Sequence, residues 1–207
     1  MEKINYQKMT DEILGTLKER ERLLLHSCCG PCSSYVLQYL KEYFDITVFF
    51  YNPNILPSAE YERRLDAQKH LIEQMNGQGA DIRLLVPEYR PEVFADMARG
   101  MENLPEGGER CTHCFSLRLS ETAKTARENG FPWFCTTLSV SPHKDAQRIN
   151  RIGEELSTDA CRWLYSDFKK RNGYLESIRL SREYGLYRQD YCGCTVRQNG
   201  DTEKETL

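Results

Sequence analysis

Seven of the nine cysteines in this 207-residue chain stand in tight groups: Cys28, Cys29 and Cys32 in HSCCGPCSS, Cys111 and Cys114 in RCTHCF, and Cys192 and Cys194 in YCGC. Cys29/Cys32 and Cys111/Cys114 are CxxC pairs, the commonest source of four thiolates for zinc or for an iron–sulfur cluster. Each pair stands at a predicted helix start, where free backbone N–H groups and the helix dipole stabilise thiolates and cluster sulfides. The grouping signals a metal without naming it. Read alone, Cys29-Gly30-Pro31-Cys32 is a thioredoxin-type exchange motif, but that chemistry needs one pair and gives no role to Cys111, Cys114, Cys192 or Cys194. A closed zinc site of four cysteines that merely staples the fold would leave Cys28, Cys192 and Cys194 without use. Three ligands with a vacant fourth position are what a catalytic metal keeps. The expectation is a closed centre on Cys29, Cys32, Cys111 and Cys114 beside an open metal on Cys28, Cys192 and Cys194, linked through the vicinal Cys28-Cys29 pair: an electron reservoir next to a substrate-binding ion.

The ungrouped residues read more plainly. Cys135, within the apolar WFCTTL, and Cys161 are expected to be small buried hydrophobes. His26 and His113 lie among the ligands and read as hydrogen-bonded support rather than as ligands. His70 reads as a surface residue and His143 as a loop residue. The composition is 40% apolar with a net charge of −3 and a pI near 5.9, which argues against sequence-blind binding to a long polyanion and leaves room for a local basic patch. MEKINYQKMTDEILG lacks a signal-peptide core, and no apolar run approaches the roughly 20 residues of a membrane span. A soluble, cytoplasmic protein is expected, with cysteines committed to metal or redox work rather than to structural disulfides.

The elements that must position these thiols alternate. The first 22 residues read as a helix. RLLLHS reads as a short buried strand stopped by the Cys/Gly/Pro turn, and SSYVLQYLKEYF as a helix capped by Ser33 or Ser34. DITVFFYNPNI is a second strand, SAEYERRLDAQKHLIEQMN a helix opened by Ser58 and closed at Asn76-Gly77, and DIRLLVPEY a third strand. PEVFADMARGM and CTHCFSLRLSETAKTAREN are helices, the latter ending at Gly130. WFCTTLSVSP is the fourth strand and HKDAQRINRIGEEL a helix. Four strands separated by helices predict βαβ crossovers and an α/β fold with a mostly parallel sheet flanked by helices, whose ligands bind beyond the carboxyl ends of the strands. We expect a single α/β domain: an N-terminal helix over 1–21, a core over 22–160, and a C-terminal extension over 161–198 with one short helix, Tyr174 to Glu183, that returns Cys192 and Cys194 to the site. The tail over 199–207 is expected to be disordered.

Taken in order, HSCCGPCSS, YNPNI, RCTHCFSLRLSETA, TTLSVSPHKD and SREYGLYRQDYCGC resemble the QueH family of epoxyqueuosine reductases over about residues 22 to 197. The resemblance implies a HUP-like α/β fold and a [4Fe-4S] cluster with an adjacent mononuclear iron. It also implies a cobalamin-independent reaction, the deoxygenation of the epoxide on a hypermodified guanine of the tRNA anticodon. Some relatives carry Asp at the position of Cys32. The implied partners are tRNA carrying epoxyqueuosine and an electron donor that the sequence does not identify, with no membrane. On this reading Asp190 and Tyr191, just before Cys192, are the expected proton donors. Tyr51 and Asn52 are expected at the substrate base, by stacking and hydrogen bonding. Arg63, Arg64, Lys169, Lys170 and Arg171 are candidate phosphate contacts. Two other enzyme classes use similar cysteines, adenylylsulfate reductases and ATP-dependent tRNA thiolases, but they grip phosphates with an SGG-type loop where this chain has SCCGPCSS. A zinc-stapled tRNA-binding module without catalysis would be colourless.

Overall fold

A computed structural model describes residues 4–194, so the expected tail lies outside the described residues. Strands β1 (Glu21–His26), β2 (Phe44–Phe49), β3 (Arg83–Leu85), β4 (Trp133–Thr136) and β5 (Arg162–Trp163) form one sheet in the order β3-β2-β1-β4-β5. Every pairing is parallel, with Leu23 opposite Ile46 and Leu25 opposite Cys135. The helices are α1 (Tyr6–Thr16), α2 (Gly30–Leu40), α3 (Ser58–Gly77), α4 (Pro91–Ala98), α5 (Glu109–Glu128), α6 (Ala146–Glu155) and α7 (Gly173–Glu183).

Successive strand residues point to opposite faces, so each strand serves two cores. Leu23, Leu25, Ile46, Val48, Trp133 and Cys135 pack with α1, α2 and α3 through Leu14, Val36, Leu37, Leu40, Leu71 and Met75. Leu24, Phe49 and Phe134 pack on the other face with Phe115, Leu119, Ala123, Ile149 and Ile152 of α5 and α6. A sheet buried on both sides explains why β1 reads as an unbroken apolar run rather than an alternating one.

Four local expectations are corrected. The sheet has a fifth strand, β5, only two residues long, too short to carry a periodic signal. Helix α2 begins at Gly30 with Cys29 as its N-cap and Pro31 in its first turn, so Ser33 and Ser34 lie inside the helix rather than capping it. Pro57 caps α3, and Ser58 is its first helical residue. The fourth strand stops at Thr136, after which Thr137–Val140 form a 3-10 turn. That turn starts where the Thr136 hydroxyl accepts the Leu138 N–H, a side-chain cap that ends the ladder.

The strand order places a switch point between β1 and β4. From β1 the chain moves outward to β2 and β3, then crosses back to β4 on the opposite flank. Connections leaving the carboxyl ends of β1 and β4 therefore diverge and open a crevice.

Candidate metal and active site

Cys28 and Cys29 follow β1 directly, at that crevice. The three sulfur atoms of Cys28, Cys29 and Cys32 lie within 4.8 Å of one another, with Cys28 and Cys29 buried, and the Cys28–Cys29 sulfur distance is 3.7 Å. The turn is fixed from beneath. Ser27 Oγ and Ser33 Oγ share a hydrogen bond of 2.5 Å, and the hydroxyl whose proton that bond does not use donates to Gln68 Oε1 of α3. Gly30 is required by space, because a Cβ there would sit 2.8 Å from the Ala67 carbonyl oxygen of α3. His26, the last residue of β1, is fully buried between the Thr136 hydroxyl at 2.8 Å and the Tyr51 carbonyl at 3.1 Å. A carbonyl only accepts, so Nε2 carries the proton and Nδ1 accepts from Thr136. Burial, reinforced by Arg118, lowers its pKa to about 3. His26 is neutral support, as expected.

Cys111 and Cys114 occupy the first turns of α5, whose N-cap is Gly108. The Gly107 N–H donates to Cys111 Sγ at 3.2 Å, the amide-to-sulfur contact that a helix start offers. Cys192 and Cys194 arrive on the segment after α7, with their sulfurs 3.5 Å apart. Cys114 is buried with Phe94 and Ala98, and Cys194 packs against that group. Cys135 and Cys161 are buried and line neither of the cavities that join these groups, and burial raises Cys135 to about 12.

Two cavities join the thiols. One of about 520 Å³ is lined by Cys28, Cys32 and Cys192 together with Arg64, Lys144, Gln189, Asp190 and Tyr191. The other, about 70 Å³, is lined by Cys111, Cys114, Cys192 and Cys194 with Arg110, Arg118 and Lys144. Cys192 and Lys144 belong to both.

The electrostatics suit sulfur anions. Hydrogen bonds from the Cys29 and Cys32 thiols hold Cys28 well below the usual thiol range, while the same contacts raise Cys32 and bring Cys29 to about 11. The Cys194 thiol likewise lowers Cys192 to about 5 and is itself raised. Burial pulls the Lys144 ammonium down, but the Cys28 and Cys32 charges outweigh it and raise its pKa. Buried Arg118 donates to the Cys114 carbonyl, and buried Arg110 to the Met101 and Glu102 carbonyls. Each guanidinium thus stands at the thiols, oriented by backbone oxygens.

Other expected residues are placed as follows. Asp190 is exposed, and the half-buried Tyr191 donates its hydroxyl to the Leu56 carbonyl at 3.2 Å. Asn52 is buried, its amide donating to the Ser27 carbonyl at 2.8 Å, and Tyr51 stacks on Phe49 with ring centroids 5.8 Å apart. Neither lines the two cavities. His113 and His70 are exposed, while His143 lines both cavities. Of the basic candidates, Lys169 is paired with Asp167 and Arg171 with Asp11, Arg63 lies over the Tyr187 ring, Lys170 is exposed, and Arg64 is 1% exposed. Sequence reasoning missed two residues. Lys144 closes the TTLSVSPHK segment, and Gln189, three residues before Cys192, donates to Cys29 Sγ at 2.9 Å. Gln189 could have been marked by its place beside YCGC, and Lys144 only by its place at the end of TTLSVSPHK.

Soft sulfur donors in this number, backed by cations and opening onto a cavity at the switch point of a parallel sheet, could bind a metal. Comparison with known proteins gives the class of enzyme. The family model for epoxyqueuosine reductase QueH matches residues 23–199. A protein of that name from Staphylococcus epidermidis is 43% identical over 200 residues, covering 93% of this chain and 84% of the relative. One from Streptococcus pyogenes serotype M1 is 41% identical over 198 residues (93% and 78%), and one from Thermotoga maritima is 35% identical over 176 residues (83% and 88%). The chain belongs to the QueH family of epoxyqueuosine reductases. It is an oxidoreductase of queuosine synthesis, and among its described residues no helix is long and apolar enough to cross a membrane.

Proposed function

We propose that the protein deoxygenates epoxyqueuosine in tRNA to queuosine in the cytoplasm, using a [4Fe-4S] cluster and one mononuclear iron. The donor set fits these groups: seven thiols, three of them with sulfurs within 4.8 Å, and buried arginines at hand to balance their charge. Cys29, Cys32, Cys111 and Cys114 would hold the cluster, and Cys28, Cys192 and Cys194 the iron. Loaded, these groups supply electrons and a Lewis acid for the epoxide oxygen.

The observation that carries the reading is that Cys28 and Cys192, far apart in sequence, line one cavity of about 520 Å³. Removing an epoxide oxygen as water consumes two electrons and two protons and leaves a carbon–carbon double bond. Asp190 lines this cavity on its exposed side, so its carboxyl is placed to relay a proton from solvent to the departing oxygen. Tyr191, by contrast, gives its hydroxyl to Leu56 and holds its own loop. Lys144 keeps its ammonium at the cavity wall, a fixed positive charge for the oxygen that gains electron density. The electron donor is an external partner.

The test is direct. Anaerobically purified protein, given a chemical reductant and tRNA bearing epoxyqueuosine without cobalamin, should yield queuosine on nucleoside digestion. Unchanged epoxyqueuosine with fully metal-loaded protein would overturn the reading.

A further inference from the structure

The segment that brings Cys192 and Cys194 to the site has no regular structure after Tyr184, yet it sits in one place. Its anchor is Arg64 of α3, a residue whose charge suggested a phosphate contact. Its side chain is 1% exposed, and all three nitrogens are spent inside the protein. Nε donates to Glu60 Oε1 at 2.6 Å, Nη1 to the Cys192 carbonyl at 3.1 Å, and Nη2 to the Tyr191 carbonyl at 3.2 Å. Glu60 in turn accepts the Tyr187 hydroxyl at 3.0 Å. The loop is therefore tied at both ends of the stretch 187–192 to one ion pair. Beyond it, the Leu56 N–H donates to the Gly193 carbonyl at 2.8 Å. Gly193 itself has φ +110, and a Cβ there would stand 3.0 Å from Ile55 and 3.2 Å from Arg64 Nη1. The loop backbone lies directly on the guanidinium.

We propose that Arg64, with Glu60 and Tyr187, is the positioning clamp that presents the Cys192-Gly193-Cys194 segment to the site, and that it serves this reaction through the loop backbone rather than through tRNA phosphate. The planar fork of the guanidinium reaches three acceptors at once, which the single ammonium of lysine does not reproduce. Losing it leaves two loop carbonyls without their donor and the Glu60 carboxylate without its cation. The inference rests on the proposed metal site only for its iron readout.

The test uses the full chain purified without oxygen and compares Arg64→Lys and Tyr187→Phe with wild type. Limited trypsin digestion read by mass spectrometry should cut after Arg188 about tenfold faster or more in Arg64→Lys, since a lost hydrogen bond to a charged group of ~1.5 kcal/mol or above is at least tenfold in an opening equilibrium. Tyr187→Phe should give a smaller rise at the same bond. Cleavage after Arg83, within the sheet, should stay at the wild-type rate, and iron should fall relative to sulfide. Wild-type cutting after Arg188 in both variants would overturn the clamp. So would acceleration at Arg83 equal to that at Arg188 in Tyr187→Phe, which would make these residues general fold supports. Protein in which wild type itself holds no sulfide would defeat the metal reading while the cleavage result still decided the clamp.

Discussion

Cys28 and Cys192 face the same cavity but are held there by opposite means. Cys28 extends from the central strand of a parallel sheet, with β2 and β4 in register on either side, and the turn beneath it is locked by the Ser27, Ser33 and Gln68 side chains. Cys192 extends from an irregular segment whose position depends on side-chain contacts from α3. One half of the site is part of the fold, and the other is docked onto it. The difference bears on stability: the half built into the sheet opens only with the fold, while the docked half is held by local contacts.

The largest expected effect falls on the rigid half. Cys29→Ser should abolish activity and acid-labile sulfide together and lower stability by on the order of several kcal/mol, because ligand binding energy at such sites is folding energy. Wild-type sulfide and stability in that variant would remove Cys29 from the ligands. Cys192→Ala should separate the halves. The colour and about four sulfides should remain while roughly one iron per chain is lost. Reduction should fall by several orders of magnitude, since a Lewis acid contributes several kcal/mol and each increment of about 1.36 kcal/mol is tenfold in rate. Loss of sulfide there would move Cys192 into the cluster.

Smaller effects sharpen the contrast. Asp190→Asn should lower turnover by roughly a hundredfold, the low end for a proton donor, with iron and sulfide intact; unchanged turnover would pass the role to another group. Gln189→Leu removes a hydrogen bond by which the docked half touches the thiol triad, the amide donated to Cys29 sulfur. About tenfold in activity is expected, the worth of one hydrogen bond to a charged group. Full activity in Gln189→Leu would show that this hydrogen bond does not couple the two halves.

The two halves were also unequally legible in the sequence. The triad was readable because CCxxC is local: an apolar run, a Gly-Pro turn and a helical pattern fix where those sulfurs must sit, and the α/β order followed from strands and helices in alternation. Helix α2 nevertheless began three residues before its expected serine cap, because the Ser33 hydroxyl bonds within its own network and not to a helix-end N–H. Strand β5 escaped because Arg162 and Trp163 join the sheet through pairing with β4, with no period of their own. The docked half was readable only as thiols. That Arg64 grips a loop, and that Gln189 reaches Cys29, are facts of tertiary packing between segments more than a hundred residues apart. In the sequence an arginine on an amphipathic helix looks like any solvated charge, and Arg63, its neighbour, is one that is exposed.

The most direct measurement is the iron, zinc and acid-labile sulfide content of wild-type protein purified without oxygen. Seven thiols arranged as a triad after β1, a helix-start pair and a docked pair should hold roughly four to five irons and about four sulfides per chain and colour the protein brown. Stoichiometric zinc in colourless protein, with no sulfide, would contradict the assignment of these thiols to an iron–sulfur centre and an open iron.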